Sequence, residues 1–227
     1  MARYTYVISD IHGQFDALMQ MMTLINFGEE DELYILGDVI DRGPKSVECI
    51  RWIMNQDNIL TLLGNHEFIL YNAFIHNAPV LYNSLKQVRE CMTEDEQYVV
   101  MKWIEDMPEC KLISVNGKSF YLNHTQIATW DYFKAEFPDR MFPDYARYRE
   151  YNNLTIKNII CIFGHIPTME MRKWNEQERE SSIWKNKSNT IIDIDCGAGY
   201  PKAGGRLGCL RLNDMKEYYV ELFENKE

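Results

Sequence analysis

Two carboxylates and one guanidinium stand close together in residues 37–43, a stretch bounded by two glycines. Asp38, Asp41 and Arg42 follow an apolar run that has the length of a buried strand. A turn has little structural use for this combination, whereas carboxylates bind divalent cations and an arginine binds phosphate oxygens in a forked geometry. The stretch therefore predicts part of a site where a metal-bound phosphate reacts.

Other side chains that bind metals follow strand-like runs elsewhere in the chain. Together with Asp38 they are Asp10, His12, Asn65, His124 and His165. Carboxylate, amide and imidazole ligands suit two hard or borderline divalent ions, and a shared Asp38 would bridge them. Ions held about 3.5–4 Å apart generate a hydroxide that bridges them and neutralise a phosphoryl group under in-line attack. The pattern thus predicts direct hydrolysis at a dinuclear centre.

Three further side chains have roles beside these ligands. Arg42 can bind phosphate oxygens, and His66 can protonate the departing oxygen while Asp41 orients its imidazole. Each residue alone has an ordinary structural explanation, such as Asn65 as a helix N-cap or His124 as a satisfied core histidine. The full set at successive strand ends makes coincidence improbable, so we predict a catalytic site.

The order of the elements explains how these residues would meet. Strand-like runs at residues 4–9, 32–36 and 59–63 each lead through a polar loop into a helical pattern, which is the plan of an α/β fold. The carboxyl ends of such strands meet at one edge of the sheet, where these folds build their sites. The strand ends therefore predict the position of the site.

The second half of the chain is mostly strand-like. Asn116-Gly117 separates two apolar runs and predicts a hairpin with a type I′ turn. Later strands are predicted at residues 159–163, 190–194, 207–212 and 218–223, and loops or short helices at 125–158 and 169–189. Residues 68–107 are predicted to form a helical insertion beside the sheet. Since no linker or repeat is visible, we predict a single domain over residues 1–227.

Composition excludes some classes of protein. The formal net charge of −10 argues against a general nucleic-acid binder, and no apolar stretch of about 18 residues predicts a membrane span. Six cysteines without C-x-x-C spacing are predicted to be reduced thiols. Because the N-terminus lacks a signal-peptide pattern, we expect a cytoplasmic protein with no membrane partner.

Three motifs carry a resemblance to a known family. They are Asp10-Ile11-His12-Gly13, Gly37-Asp38-Val39-Ile40-Asp41-Arg42-Gly43 and Gly64-Asn65-His66-Glu67, followed by His124 and by Gly164-His165-Ile166-Pro167. In this order they resemble the signatures of the phosphoprotein phosphatase family of metallophosphoesterases, and the compact size is most similar to the bacterial and bacteriophage lambda phosphatases. The resemblance implies a two-sheet β-sandwich flanked by helices, with two divalent ions.

The resemblance also implies roles for single residues. One ion is expected on Asp10, His12 and Asp38, and the other on Asp38, Asn65, His124 and His165. His66 with Asp41 would be the acid pair and Arg42 a phosphate ligand. Manganese is the expected metal, with iron and zinc as alternatives.

A second phosphate-binding arginine is expected between the two downstream histidines, where Arg140, Arg147 and Arg149 compete. Tyr145-Ala146-Arg147 fits the bacterial pattern best, so Arg147 is our choice. Ser9 departs from the family by replacing a glycine.

Three functions fit these residues. The first is a protein serine/threonine phosphatase, with phosphotyrosine as a further substrate and a phosphoprotein or phosphopeptide as its partner. The second is a symmetrical dinucleoside tetraphosphate hydrolase. Such enzymes generally resemble this pattern with alanine in place of Asp41 and aspartate in place of Glu67, whereas this sequence has Asp41 and Glu67. The third is a phosphatase-fold binding protein without turnover, which loss of a ligand, His66 or Arg42 would favour. The physiological substrate and the oligomeric state stay open.

Overall fold

The computed structural model describes residues 3–76, 83–125 and 158–222. Within these ranges the strands are β1 (Thr5–Ile8), β2 (Glu32–Ile35), β3 (Ile59–Thr61), β4 (Cys110–Val115), β5 (Lys118–Asn123), β6 (Ile160–Phe163), β7 (Trp184–Lys185), β8 (Ile191–Asp193), β9 (Arg206–Arg211) and β10 (Lys216–Glu221). The helices are α1 (Phe15–Ile25), α2 (Ser46–Met54), α3 (Asn65–Ile75), α4 (Asn83–Cys91), α5 (Glu94–Glu105) and α6 (Thr168–Trp174), with a short 3-10 turn at Pro201–Ala203.

The strands form two five-stranded sheets. The first has the order β10-β9-β1-β2-β3, and the second the order β4-β5-β6-β8-β7. In the first sheet β1, β2 and β3 run parallel, whereas β9 is antiparallel to β1. In the second sheet β5, β6 and β8 run parallel. Each sheet therefore has neighbouring strands whose carboxyl ends point the same way.

An apolar layer lies between the sheets and confirms the predicted sandwich. The first sheet contributes Val7 and Leu210, and the second contributes Phe120, Ile162 and Ile192, all 0% exposed. Burying a side chain of this size stabilises the fold by roughly 1.5–3 kcal/mol each. The layer thus packs the two sheets against one another.

Helices cover the other face of the first sheet. The helix α1 buries residues at helical spacing, among them Leu18, Met21 and Ile25, in the same apolar cluster as Tyr6 and Ile8 of β1. This confirms the predicted α/β fold with helices flanking the sheets.

The sequence placed most elements within two residues of their observed bounds. The hairpin turn has φ of 50° at Asn116 and 76° at Gly117, as a type I′ turn requires. The helix α2 begins at Ser46, and α1 ends on Asn26 in the left-handed conformation. The short strand β7 was not predicted.

The predicted insertion at residues 68–107 contains most of α3 and all of α4 and α5. The helix α3 already begins at Asn65, inside the third motif, so the helical region begins earlier than predicted. The assignment of residues 1–227 to one domain stays a prediction. All six cysteines are free thiols. In the described ranges, no helix combines the length and the apolar character that crossing a membrane requires.

Candidate metal centre

Five strand ends from two sheets bring the predicted site residues together. Asp10 and His12 follow β1, Asp38 follows β2, and Asn65 begins α3 just after β3. His124 and His165 follow β5 and β6 of the second sheet. Backbone hydrogen bonds from Asp10 N to Gly37 O (3.1 Å) and from His12 N to Asp38 O (2.9 Å) fasten the first two loops side by side. The site therefore lies where the carboxyl ends of the two sheets meet.

Glycines permit the close approach of these loops. A Cβ atom at Gly64 would lie 2.3 Å from Asp38 N, and one at Gly37 would lie 2.6 Å from Gly64 Cα. Gly37 also has a φ of +96°, which side chains rarely adopt. The two glycine positions thus explain why the second and third motifs begin as they do.

Several site residues hold a left-handed backbone that is unusual for residues other than glycine. The φ angles are 51° at Asp10, 49° at His12, 52° at Asp38 and 71° at His165. Backbone strain of this kind clusters at functional sites, where the surrounding structure holds it in place. The positive φ angles therefore indicate a functional site in which the backbone conformation orients the side chains.

One ligand cluster forms around His12. Its Nε2 lies 3.8 Å from Asp10 Oδ1 and 3.8 Å from Asp38 Oδ2. Since the Nδ1–H donates to Ile40 O over 2.9 Å, the lone pair of Nε2 faces the carboxylates. Burial lowers the pKa of His12 to about 3, so the imidazole is neutral at pH 7. A neutral imidazole between two carboxylates is a ready metal ligand.

The buried atoms of this cluster fit a cation. Among the described residues, Asp10 Oδ1 and His12 Nε2 are buried without a hydrogen-bond partner. Buried polar atoms are almost always satisfied, and an ion is one of the accepted explanations when they are not. The residues present therefore fit a bound divalent metal.

A second cluster lies on the other side of Asp38. His124 Nε2 is 3.3 Å from Asp38 Oδ1 and 2.9 Å from Asn65 Oδ1, and His165 Nδ1 is 2.7 Å from the same amide oxygen. The Nδ1–H of His124 donates to Leu36 O over 2.7 Å. Asp38, His124 and His165 can hold one ion, and Asp38 also belongs to the cluster of His12 and His66. Asp38 thus belongs to both clusters, and its sharing by two ions stays a prediction.

In the second cluster, His124 and Asp38 each favour the charged form of the other. Burial alone would lower the pKa of His124, but the adjacent Asp38 outweighs burial and raises it to about 10. Burial likewise opposes the ionised form of Asp38, yet His124 and its other histidine neighbours hold the pKa of Asp38 well below its usual range. A metal that binds here must displace the proton of His124, so its affinity will rise with pH.

His66 and Asp41 form a hydrogen-bonded pair next to these ligands. His66 Nδ1 lies 2.7 Å from Asp41 Oδ2, and both residues are buried. Burial opposes the charged form of His66, but the hydrogen bond to Asp41 and the charge of Asp38 outweigh it and raise the pKa of His66. His66 Nε2 also lies 3.8 Å from Asp38 Oδ2. Its distances fit a proton donor and a metal ligand alike, so its role stays a prediction.

Arg42 projects at the mouth of the site. Its guanidinium lies 4.4 Å from the ring centroid of Tyr200, and a Cβ at Gly199 would come within 2.8 Å of it. Arg42 and His165 also line a cavity of about 370 Å³ whose other walls include Tyr200 and Trp174. Arg42 is therefore placed to hold a phosphate that enters from this cavity. Arg147, together with its competitors Arg140 and Arg149, lies outside the described residues.

Two supporting residues were not assigned these roles from sequence. Glu67 accepts hydrogen bonds from Asp38 N (2.8 Å) and Val39 N (2.9 Å), and so holds the loop that presents Asp38. The hydroxyl of Ser9 donates to Asp10 Oδ2 over 2.5 Å. Their positions inside the motifs were the available signal, but neither spacing nor residue type shows which backbone atoms they contact.

Curated proteins match this chain over part of its length. The symmetrical bis(5′-nucleosyl)-tetraphosphatase of Actinobacillus pleuropneumoniae serotype 3 is 32% identical over 55% of this chain and 45% of its own length. The enzyme of the same name from Actinobacillus succinogenes is 31% identical over 66% of this chain and 54% of its own length. The chain thus spans about half the length of the curated relatives it matches.

Solved structures share the fold over nearly the whole chain. A putative diadenosine tetraphosphatase superposes with a TM-score of 0.69 at 16% identity, covering 99% of this chain and 97% of that one. A yeast protein serine/threonine phosphatase with similarity to human PP5 gives 0.63 at 16% identity, covering 99% and 81%. The cold-active protein-tyrosine phosphatase of a Shewanella species gives 0.58 at 15% identity, covering 97% and 81%. At these identities the likeness concerns the fold alone.

A family model matches most of the sequence. The model is that of the calcineurin-like phosphoesterases, and it matches residues 4–207, which include the three motifs and both downstream histidines. Members of this family use a dinuclear divalent metal centre, for which the His and Asp clusters described above are the candidate ligands. This chain belongs to the calcineurin-like phosphoesterase family, as a metallophosphoesterase.

Proposed function

We propose that this chain is a phosphomonoesterase that removes phosphate from serine and threonine side chains of proteins, with phosphotyrosine as a further substrate. The observation that supports this most directly is the 2.7 Å contact between His66 Nδ1 and Asp41 Oδ2. It leaves Nε2 of His66 facing the ligand cluster, 3.8 Å from Asp38 Oδ2. A proton held at Nε2 is thus available to a departing oxygen.

The basicity of the leaving group is the reason for this choice. A serine or threonine side chain leaves as a strongly basic alkoxide and gains much from a proton donor. A nucleoside diphosphate leaves as a weakly basic phosphate and gains little. A carboxylate that raises the proton affinity of His66 therefore serves phosphomonoesters more than phosphoanhydrides.

The other residues have binding roles in this proposal. Asp10, His12 and Asp38 would hold one ion, and Asp38, Asn65, His124 and His165 the second. When bound, two divalent ions supply positive charge to the phosphate oxygens and lower the pKa of bound water. Arg42 orients the phosphate, and Arg147 is our choice for a second contact. Manganese is the proposed metal, with iron and zinc as alternatives, and cytoplasm the proposed compartment.

A symmetrical dinucleoside tetraphosphate hydrolase is the second candidate. The curated relatives at 31–32% identity bear that name, and one similar structure is described as a putative diadenosine tetraphosphatase. These comparisons favour the second candidate over the first. Asp41 and Glu67 favour the first. Tetraphosphate hydrolases generally resemble this pattern but have alanine in place of Asp41 and aspartate in place of Glu67. A binding protein without turnover is disfavoured because each predicted ligand, His66 and Arg42 are present.

A hydrolysis panel tests the proposal. The manganese-loaded protein is given phosphoserine, phosphothreonine and phosphotyrosine peptides and diadenosine tetraphosphate, and kcat/KM is compared. We expect the peptides to be preferred and His66→Asn to lower their kcat about a hundredfold without loss of metal. His76→Asn, which changes an exposed histidine, is the matched control.

Each other outcome of the panel has a meaning. A preference for the dinucleotide would replace the first candidate by the second. Turnover of neither class would support a binding protein. Equal activity after thorough chelation would refute the metal mechanism, and loss of metal from His66→Asn would make His66 a ligand instead of an acid.

A further inference from the structure

The first turn of helix α4 contacts the carboxylate of Asp41. Ser84 N donates to Asp41 Oδ1 over 2.9 Å, while Asp41 Oδ2 lies 2.7 Å from His66 Nδ1. Asp41 is 2% exposed and Ser84 0% exposed. Each oxygen of this carboxylate therefore has a separate partner, one in the helical segment and one in the metal centre.

A second polar contact fastens α4 to the same loop. Gln87 Oε1 accepts a hydrogen bond from Ser46 N over 2.9 Å, and Ser46 Oγ accepts one from Asp41 N over 3.1 Å. On its apolar side α4 buries Leu85 and Val88 in the core cluster that also contains residues of α1 and α2. The helix is thus seated by apolar packing and aligned with Asp41 by hydrogen bonds.

The contact with Ser84 satisfies needs of both partners. Ser84 is the second residue of α4, and an N–H group in the first turn has no acceptor within its own helix. The partial positive charge at a helix N-terminus also favours a carboxylate there. With donors on both oxygens, the carboxylate plane of Asp41 is fixed, whereas a single donor would leave it free to rotate away from His66.

We propose that Ser84 is a positioning residue for the proton donor: its backbone N–H holds Asp41 so that His66 keeps Nε2 towards the leaving oxygen. This inference rests on the role of His66 in the proposed function. In each turnover one proton passes from Nε2 to the leaving oxygen as its bond to phosphorus breaks. The attacking water supplies an oxygen and one proton to the phosphate, and its other proton restores His66. The segment that contains α4 is then part of the catalytic apparatus.

Proline at position 84 tests the proposal because it removes the backbone donor. Ser84→Pro deletes the N–H, and a helix tolerates proline in its first turn. Ser84→Ala keeps the N–H and deletes the hydroxyl, so it separates the two groups. Asp95→Pro places proline at the second residue of the neighbouring helix α5 and controls for the cost of proline itself.

The main measurement is kcat across phosphate monoesters of increasing leaving-group basicity, from p-nitrophenyl phosphate to an alkyl phosphate. We expect Ser84→Pro to lower kcat about tenfold or more for the alkyl ester and less than about threefold for the nitrophenyl ester, with KM unchanged. Asp95→Pro should follow the wild type throughout, and Ser84→Ala, which keeps the N–H, should show a smaller dependence on the leaving group than Ser84→Pro does. Lost packing alone would slow all esters alike, so the dependence on the leaving group identifies positioning.

A spectroscopic measurement does not depend on turnover. In protein with ¹⁵N-labelled histidine, the proton on His66 Nδ1 should resonate downfield because of its bond to Asp41. We expect Ser84→Pro to shift this resonance more than Ser84→Ala does, and Asp95→Pro to leave it in place. An unshifted resonance together with a uniform or absent change in kcat would overturn the inference.

Two further variants keep the outcomes distinct. If Ser84→Pro does not fold, Gln87→Ala removes the second contact of α4 with the loop, and it should slow the alkyl ester more than the nitrophenyl ester. Equal effects on the two esters would refute the inference. If His66→Asn itself leaves the leaving-group dependence unchanged, the proposed acid role of His66 fails, which is a separate result.

Discussion

At the scale of single residues, the pairing of His66 with Asp41 makes a prediction about pH. A proton donor must be protonated, so turnover of an alkyl phosphate should persist below the pKa of His66 and fall as pH rises through it. Asp41 is a main cause that raises this pKa. Asp41→Asn removes its charge, so the fall in kcat should move to lower pH, and kcat below it should drop about tenfold or more.

The pH profile of kcat for an alkyl phosphate measures this effect. Asp214→Asn is the control, since Asp214 pairs with Arg211 in an exposed contact outside the site. The same profile for p-nitrophenyl phosphate should change less, because its leaving group needs no proton. A descending limb that stayed in place in Asp41→Asn would contradict the pairing of the two residues in catalysis.

Ser9 carries a second prediction at this scale. Asp10 Oδ2 accepts hydrogen bonds from Ser9 Oγ (2.5 Å) and His165 N (2.9 Å), which leaves Oδ1 directed at His12. Groups that orient a ligand typically contribute 10- to 100-fold to metal affinity. We therefore expect Ser9→Ala to weaken one of the two metal positions about tenfold or more. Calorimetric titration of the metal-free protein with Mn²⁺ measures both positions.

The control for Ser9 is another buried serine hydroxyl. Ser181 Oγ donates to Gly204 O over 2.6 Å and contacts none of the predicted ligands. Ser181→Ala should therefore bind two ions as the wild type does. If Ser9→Ala bound both ions as tightly as Ser181→Ala does, Asp10 would be oriented by its backbone and by His165 alone.

At the scale of elements, the strand ends explain why so much of the site could be predicted. Parallel strands place their carboxyl ends together, so polar residues after β1, β2 and β3 had to meet once those strands were recognised. Asn116-Gly117 likewise determines the hairpin of β4 and β5, because both residues tolerate the positive φ of a type I′ turn. These are local signals, and the structure follows them.

Other features of the elements depend on packing that no local pattern contains. The strand β7 has two residues, too few to show alternation, and it forms by pairing with β8. The contact of Ser84 with Asp41 joins residues 43 positions apart and depends on how α4 packs against the loop after β2. The support of Asp38 by Glu67 likewise arises only once α3 is seated. Local patterns in the sequence therefore indicate the candidate ligands more readily than the groups that orient them.

At the scale of the whole molecule, the candidate metal ligands come from both sheets. The first sheet supplies Asp10, His12 and Asp38 with Asn65 from α3, and the second supplies His124 and His165. A ligand that binds only the folded state stabilises it by about 2.7 kcal/mol at a concentration a hundred times its dissociation constant. Because unfolding separates the sheets and destroys both clusters, divalent metal should raise the free energy of unfolding by an amount of this order.

Removing one candidate ligand of the second sheet tests whether metal binding stabilises the packing of the two sheets. His165→Ala should bind one ion fewer, so Mn²⁺ should raise its free energy of unfolding, measured in urea, by clearly less than that of the wild type. His76→Ala changes an exposed histidine and should keep the full increment. If His165→Ala also kept it, the second sheet would supply no essential ligand at that position. The second sheet would then be linked to the candidate centre through His124 alone, which lies 3.3 Å from Asp38 Oδ1.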